Sequence, residues 1–451
     1  MTDDTAAIQA EIDAAAATGG GRVTLQAGRT YYCGSLRLRS GIELHLEPGS
    51  RLVAAARIDQ FAKRFVVGAL ASGVSADSSE ATAALLWAED AEDVSVTGSG
   101  VIDGSAHAYV LADRGDIFRM SNARPFPLFF IGCRRVTLSG VRFVDAALWT
   151  VRLSGCDGVT IVGLRIDNDM RVPNADGIDI DHCRRVQIIG CDVRCPDDGI
   201  SLKTTDEFAR FGACEDVVIT GCTIESGSTA VTLGVDTECP IRNVVVSSCV
   251  IRNSHRGVSV SVGSGPGGSV ENVLFSDLVI ETRHAGADWW GSGEPIVVRS
   301  APWHDKAGPI RVVRFRNILA RAENGILLYA GGGGQVDDVV LCGVRLELNR
   351  WTDHPGRRID LRPFDHAPRS AQLPAGIVEA VPAAVHVEGV SDVRLDDVRV
   401  RRGPQASEFG PTLRVLASDR VTWRGLVSDR EPTADLVIDD IPGPLEPEGA
   451  V

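Results

Sequence analysis

The chain lacks any apolar run near the roughly 18 residues that a membrane-crossing helix needs, so no membrane partner is expected. Its start, MTDDTAAIQAEIDAAAA, lacks the basic residues, apolar stretch and small-residue cleavage site of a secretory leader, which points to a cytoplasmic protein unless a leader was trimmed. It lacks an excess of positive charge. A net charge of −14 argues against nucleic acid, whose phosphates are held by Lys and Arg. Paired CxxC spacings are missing and the eleven cysteines are odd in number, so buried thiols are expected rather than a zinc centre or a disulfide framework. The nine histidines show no metal spacing. "GSGPGG" at 263–268 has no helix after it and "GGGGQ" at 331–335 no Lys-Ser/Thr, so neither cradles phosphate.

What is there is a repeat. Segments such as RVTLSGVRF, GVTIVGLRI, RVQIIGCDV and DVVITGCTI recur eleven times, with first valines running from Val94 to Val421. The shortest interval is the 23 residues from Val136 to Val159. Each copy alternates with period two, is rich in β-branched residues, and ends at Gly, Asn or Asp, which reads as a strand and not a helix. Such a unit buries its apolar side only against its neighbours. The expected fold is all-β, a single-domain right-handed parallel β-helix (solenoid) over 1–445, with an N-terminal capping helix at 1–20 covering an open edge and a flexible tail at 446–451. Cysteines support the stacking: Cys133, Cys156, Cys183 and Cys214 each precede a repeat valine by three residues, and Cys191, Cys222 and Cys249 each follow one by five. Excursions at 279–310 and 350–384 interrupt the repeat beside the presumed cleft.

Aligning the coils yields columns. One runs Trp149, Asp176, Asp198, Thr229, Arg256, Glu294 and Asn324; a second includes Arg152, Asp179 and Ser201; a third Ser154, Asp181, Lys203 and Arg299. Asp176 and Asp198 lie 22 residues apart, one coil, so adjacent rungs hold them roughly 4.8 Å apart, and Asp197 joins them. Three carboxylates so crowded disfavour ionisation of at least one and couple their titrations. Two carboxylates beside a sugar linkage are what glycoside hydrolysis needs, one as acid and one to activate water. Turn formation is the plainer account of an isolated Asx residue, since it tolerates tight bends, but three carboxylates in register favour chemistry.

With "NADGIDID" and "PDDGISLK" on the page, and "DDTAAIQAEIDAAAATGGGRVTLQAG" and "SLRLRSGIELHLEPGS" before them, the chain resembles glycoside hydrolase family 28, the polygalacturonase and rhamnogalacturonan hydrolase family of right-handed parallel β-helices. The resemblance implies Asp197 as general acid, Asp176 and Asp198 as holders of water in an inverting hydrolysis, and no metal or organic cofactor. Two family motifs are absent. Ser228, Thr229 and Ala230 stand where the family has Gly-His-Gly, and Ser259, Val260 and Ser261 where it has Arg-Ile-Lys. Serine hydroxyls cannot replace charge-assisted bonds of about 1.5 to 3 kcal/mol each.

Candidates for a rebuilt sugar site are Asn174, Asp179, Lys203, Thr229, His255, Arg256, Glu294 and Arg299, with Trp289 and Trp290 as a stacking platform and Trp149 as a wall. The expected partner is an oligosaccharide, cleaved in exo fashion, with oligomeric state open. Rival readings are a β-helix lyase or epimerase using calcium on the aspartates and Lys203 or Arg256 as base, a glycan transferase, and a non-catalytic carbohydrate-binding β-helix.

Overall fold

The computed structural model describes residues 3–62, 64–65, 82–263, 267–286, 290–302, 306–362, 376–429 and 436–439. The chain divides into two compact units, Met1–Cys222 and Thr223–Val451. Each is a stack of parallel strands in right-handed β-helical coils, as the repeat predicts. Among the described residues no helix is long and apolar enough to cross a membrane.

In the first unit one sheet stacks Glu92–Gly98, Arg134–Ser139, Asp157–Val162 and Arg184–Ile189 in register, so that Val94, Val136, Val159 and Val186 form one inward column and Val96, Leu138, Ile161 and Ile188 the next. All eight are buried. A second sheet stacks Thr82–Glu89, Pro125–Ile131, Val151–Ser154, Ile178–Asp181 and Ile200–Thr204. In the second unit the inward column of Val270–Thr282, Pro309–Ala322, Gln335–Leu348 and Ser391–Arg402 is Val273, Val313, Val339 and Val393.

The residue just before each repeat valine has left-handed backbone, from Asp93 at φ 55° to Arg420 at φ 50°. This explains the Asp, Asn and Gly at that position, the types that enter the left-handed region most cheaply. Val312, at φ 57°, is the β-branched exception.

All eleven cysteines are free, nine of them buried, and Cys156, Cys183 and Cys214 fill adjacent rungs of the first unit. The capping helix is shorter than expected, Thr5–Ala17, with Asp4 at its N-cap. It ends where Gly19 and Gly20 take positive φ, and it buries Ile8 and Ile12. Of the excursion at 350–384, an antiparallel pair, Arg358–Asp360 with Ile377–Glu379, is described. The tail at 446–451 lies outside the described residues.

Candidate active site

The site is built where two Asp-Gly turns stack. Register Ile178↔Ile200 sets Asp176 over Asp198, and Gly177 N–H donates to the Asp198 carbonyl at 2.9 Å. Gly177 is required there, because a Cβ would meet the Gly199 carbonyl oxygen at 2.3 Å. Asp176, Asp197 and Asp198 each bring a carboxylate oxygen within 4.8 Å of the others. Asp176 is buried, while Asp197 and Asp198 are part-exposed. These are hard-cation donors, but a cation of the chain itself stands among them. Lys203 Nζ lies 3.5 Å from Asp176, 3.6 Å from Asp179 and 3.8 Å from Asp198, and 4.4 Å from the centre of the Trp149 ring.

Burial, with Asp198 beside it, pushes the Asp197 carboxyl up to about 7, and Asp179 is pushed up to about 6 by burial. Asp176 is also raised well above its ordinary value, by burial and then by the charges of Asp179 and Asp197. Asp176 Oδ1 and Asp179 Oδ2 are buried and meet no hydrogen-bond donor, as suits groups that hold a proton. Asp181, on the same strand, differs: it accepts from Arg152, Ser154 and from both the N–H and hydroxyl of Thr205.

Asn174 sits at φ 58°, its N–H donates to Asp197 Oδ2 at 3.2 Å, and its Oδ1 accepts from Arg124 at 2.9 Å. It shapes the turn and orients the acid. Arg124 is a residue that no sequence pattern singles out. It is enclosed, lies near enough to Asp176 and Asp197 to feel their charges, and is pushed down to about 10 by burial.

Trp149 is buried in a cluster with Phe65, Trp87, Phe126, Phe129 and Phe208. The outward column reads Trp87, Phe129, Arg152, Asp179, Ser201, so an aromatic block meets the acidic rungs directly. The short helix Asp206–Phe211 roofs it: Phe208 packs on Phe129 at 6.0 Å, and Glu207 accepts from the wholly buried Arg152 at 2.9 Å. Outward positions that the alternation predicts as open are therefore covered.

The second unit holds Thr229, His255, Arg256, Glu294 and Arg299, all buried. Thr229 pairs with Arg256 in adjacent strands. Arg256 faces Glu294 at 3.4 Å and Asp360 at 3.7 Å, and Arg299 donates to the Arg362 carbonyl and to Ser261. Asp360 also accepts from Gly291 N–H at 2.6 Å and from Arg362 at 2.7 Å. Arg256 and Arg362 hold the Asp360 carboxyl well below the usual range against the opposing effect of burial, whereas burial raises Glu294. The excursion thus covers these residues rather than leaving them open as a sugar subsite. Trp290 is half-buried, and Trp289 lies outside the described residues.

A profile for Glycosyl hydrolases family 28 matches residues 62–287. A probable polygalacturonase of Vitis vinifera is 25% identical over 308 residues, 67% of this chain and 62% of that protein. A probable endo-xylogalacturonan hydrolase A of Aspergillus niger is 27% identical over 198 residues, 42% of this chain and 46% of that one. The chain therefore spans less than two thirds of the length of either relative. Among solved structures, a family 28 exopolygalacturonase of Yersinia enterocolitica aligns with a TM-score of 0.67 at 17% identity, over 100% of this chain and 76% of that one. An exopolygalacturonase of Thermotoga maritima aligns with a TM-score of 0.60 at 20% identity, over 89% and 84%.

Proposed function

This chain belongs to glycosyl hydrolases family 28, and from that premise we propose that it is an exo-acting, inverting glycoside hydrolase of short oligosaccharides with Asp197 as general acid. The observation that carries this reading is the state of Asp197. It is part-exposed, hydrogen-bonded by Asn174 and Asp198 N–H groups, and pushed up to about 7, so it keeps a proton below neutral pH and can give it to a leaving oxygen. Asp176 and Asp198 hold and activate water. The nearest oxygens of the trio lie within 4.8 Å, tighter than the about 6.5 to 9.5 Å usual between inverting carboxyls. The water then sits at the rim of the trio and not between two separated acids.

Exo action rests on the aromatic block and its roof, which fill the outward face on the rungs that precede Asp176. Lys203 as the base of a lyase fits poorly, because it is enclosed by three carboxylates within 3.8 Å. The test is a time course on oligosaccharides read by proton NMR. A first-formed product of inverted configuration, released one end-unit at a time, is expected; a retained anomer sinks the inverting assignment, and random internal cuts sink the exo one.

A further inference from the structure

On a different turn of the first unit lies a cavity of about 390 Å³, a volume within the range of small-molecule sites. None of Asp176, Asp197 and Asp198 lines it. The stacked coils lay its floor: Tyr32 pairs with Val53 and Val53 with Asp103 on successive rungs, and Asp3 bridges to Tyr32 at the outer end. Ala54, Ala55 and Ala56 border that floor with minimal side chains, so the middle of the cavity is wide and apolar.

Acids stand at its two ends. Three rungs separate Asp3 from Asp103, about 14 Å at the ordinary strand spacing, and Asp145 lies one rung further, next to Val144, the partner of Asp103. Asp103 is already matched, since it accepts from Arg51 at 2.6 Å and from the Ser105 N–H at 2.8 Å. Asp145 is not. Among the described residues it is answered by His107 alone, through the backbone N–H and an imidazole 3.5 Å away that also faces Asp169 at 3.2 Å. Burial, with the charges of Asp103 and Asp169, raises the Asp145 carboxyl above its ordinary value. At the other end Asp3 accepts from the Thr5 N–H and hydroxyl, neither of them charged, and no lysine or arginine lines the cavity.

We propose that this cavity binds a linear polyamine, with one terminal ammonium on Asp145, the other end at Asp3, and the methylene chain lying across Tyr32 and Val53. An ammonium supplies the charge that Asp145 lacks and donates hydrogen bonds that gain from it. Methylenes gain by leaving water for the apolar floor, and a cation over the Tyr32 ring gains from its face. An anionic ligand is repelled at both ends. This site stands apart from the acid trio and does not depend on the hydrolase reading.

Calorimetry on the full chain at pH 7.5, in about 0.15 M salt to screen unspecific attraction to a net charge of −14, compares spermine, spermidine and diaminopropane. Spermine is expected to bind at least about tenfold more tightly than diaminopropane, which reaches one end only, and Asp145→Asn to weaken spermine about tenfold, equal to about 1.4 kcal/mol. Val53→Lys is expected to weaken spermine as well, by setting the chain's own ammonium on the floor; Val53 points outward and is part-exposed, so the melting temperature should hold. Equal affinity for the three amines, spermine binding that either folded variant leaves unchanged, or no binding at all overturns the inference.

Discussion

In the first unit Asp176, Asp179, Asp197 and Asp198 share Lys203 and the enclosed Arg124, whereas in the second Glu294 and Asp360 meet Arg256 and Arg362. The consequences run opposite ways. Asp197 is pushed up to about 7, while Asp360 is held well below the carboxylate range. Acids that outnumber their cations keep protons and stay reactive, whereas Asp360, flanked by two arginines, stays charged and acts as a clamp. The coils support both, the second with Asp360 and Arg362 supplied by an excursion, and the local charge balance decides which.

The sharpest way to break the comparison is to make the same substitution at both places. Asp197→Asn is expected to lower kcat by about 10²- to 10⁴-fold, the usual worth of a general acid, with the melting temperature unchanged or raised because a crowded charge is gone. Near wild-type turnover would refute the assignment. Asp360→Asn is expected to do the reverse. It leaves the buried Arg256 and the part-exposed Arg362 without their shared carboxylate, which costs about 3 to 5 kcal/mol, read as a lower denaturant midpoint. Loss of turnover in Asp360→Asn without loss of stability would show that the clamp is chemistry after all.

The columns were legible because a parallel coil repeats its apolar alternation at nearly fixed intervals; Asp176 over Asp198 and Arg256 beside Glu294 follow from counting. What covers the columns was not legible. Arg152 belongs to a predicted outward position, yet Glu207 and Phe208 reach it from a turn with no periodicity. Asp360 contacts Arg256 across 104 residues of sequence, through an excursion whose Pro, Arg and Asp content marks it only as a loop. Arg124, one of several arginines ahead of an apolar strand, carries no pattern that sets it apart. Repeats encode register, and tertiary cover is written in the segments that break the repeat.

The comparison is sharpened by pH. Asp197 and Asp179, raised to about 7 and about 6, bind protons more tightly folded than unfolded, so the stability they contribute is full below the ordinary carboxylate value and is lost as pH rises through 6 to 7. Asp360 is depressed, so its contribution is full above its ordinary 3.8 and is lost as pH falls below that. Amide exchange at pH 7.5, 5 and 3.5, corrected for intrinsic rates, is expected to show strand Ile178–Asp181 gaining protection between the first two and strand Ile296–Ser300 losing it between the last two. Parallel shifts in both strands would mean that charge balance does not distinguish the units.

The smallest expected effect isolates the cation. Lys203→Met removes the ammonium that favours ionisation of Asp176 and Asp179, so the acids of the first unit should hold their protons to higher pH. The alkaline limb of kcat/KM, which in the wild type falls near the value of about 7 for Asp197, is expected to move up by about one unit, equal to about 1.4 kcal/mol. Arg256→Met makes the matching change beside Asp360 and should leave that limb where it is, because Asp360 takes no part in the proton transfer. If both variants move the limb equally, the shift reports a general loosening of the coils. If only Lys203→Met moves it, the proton on Asp197 is set by the count of charges around it.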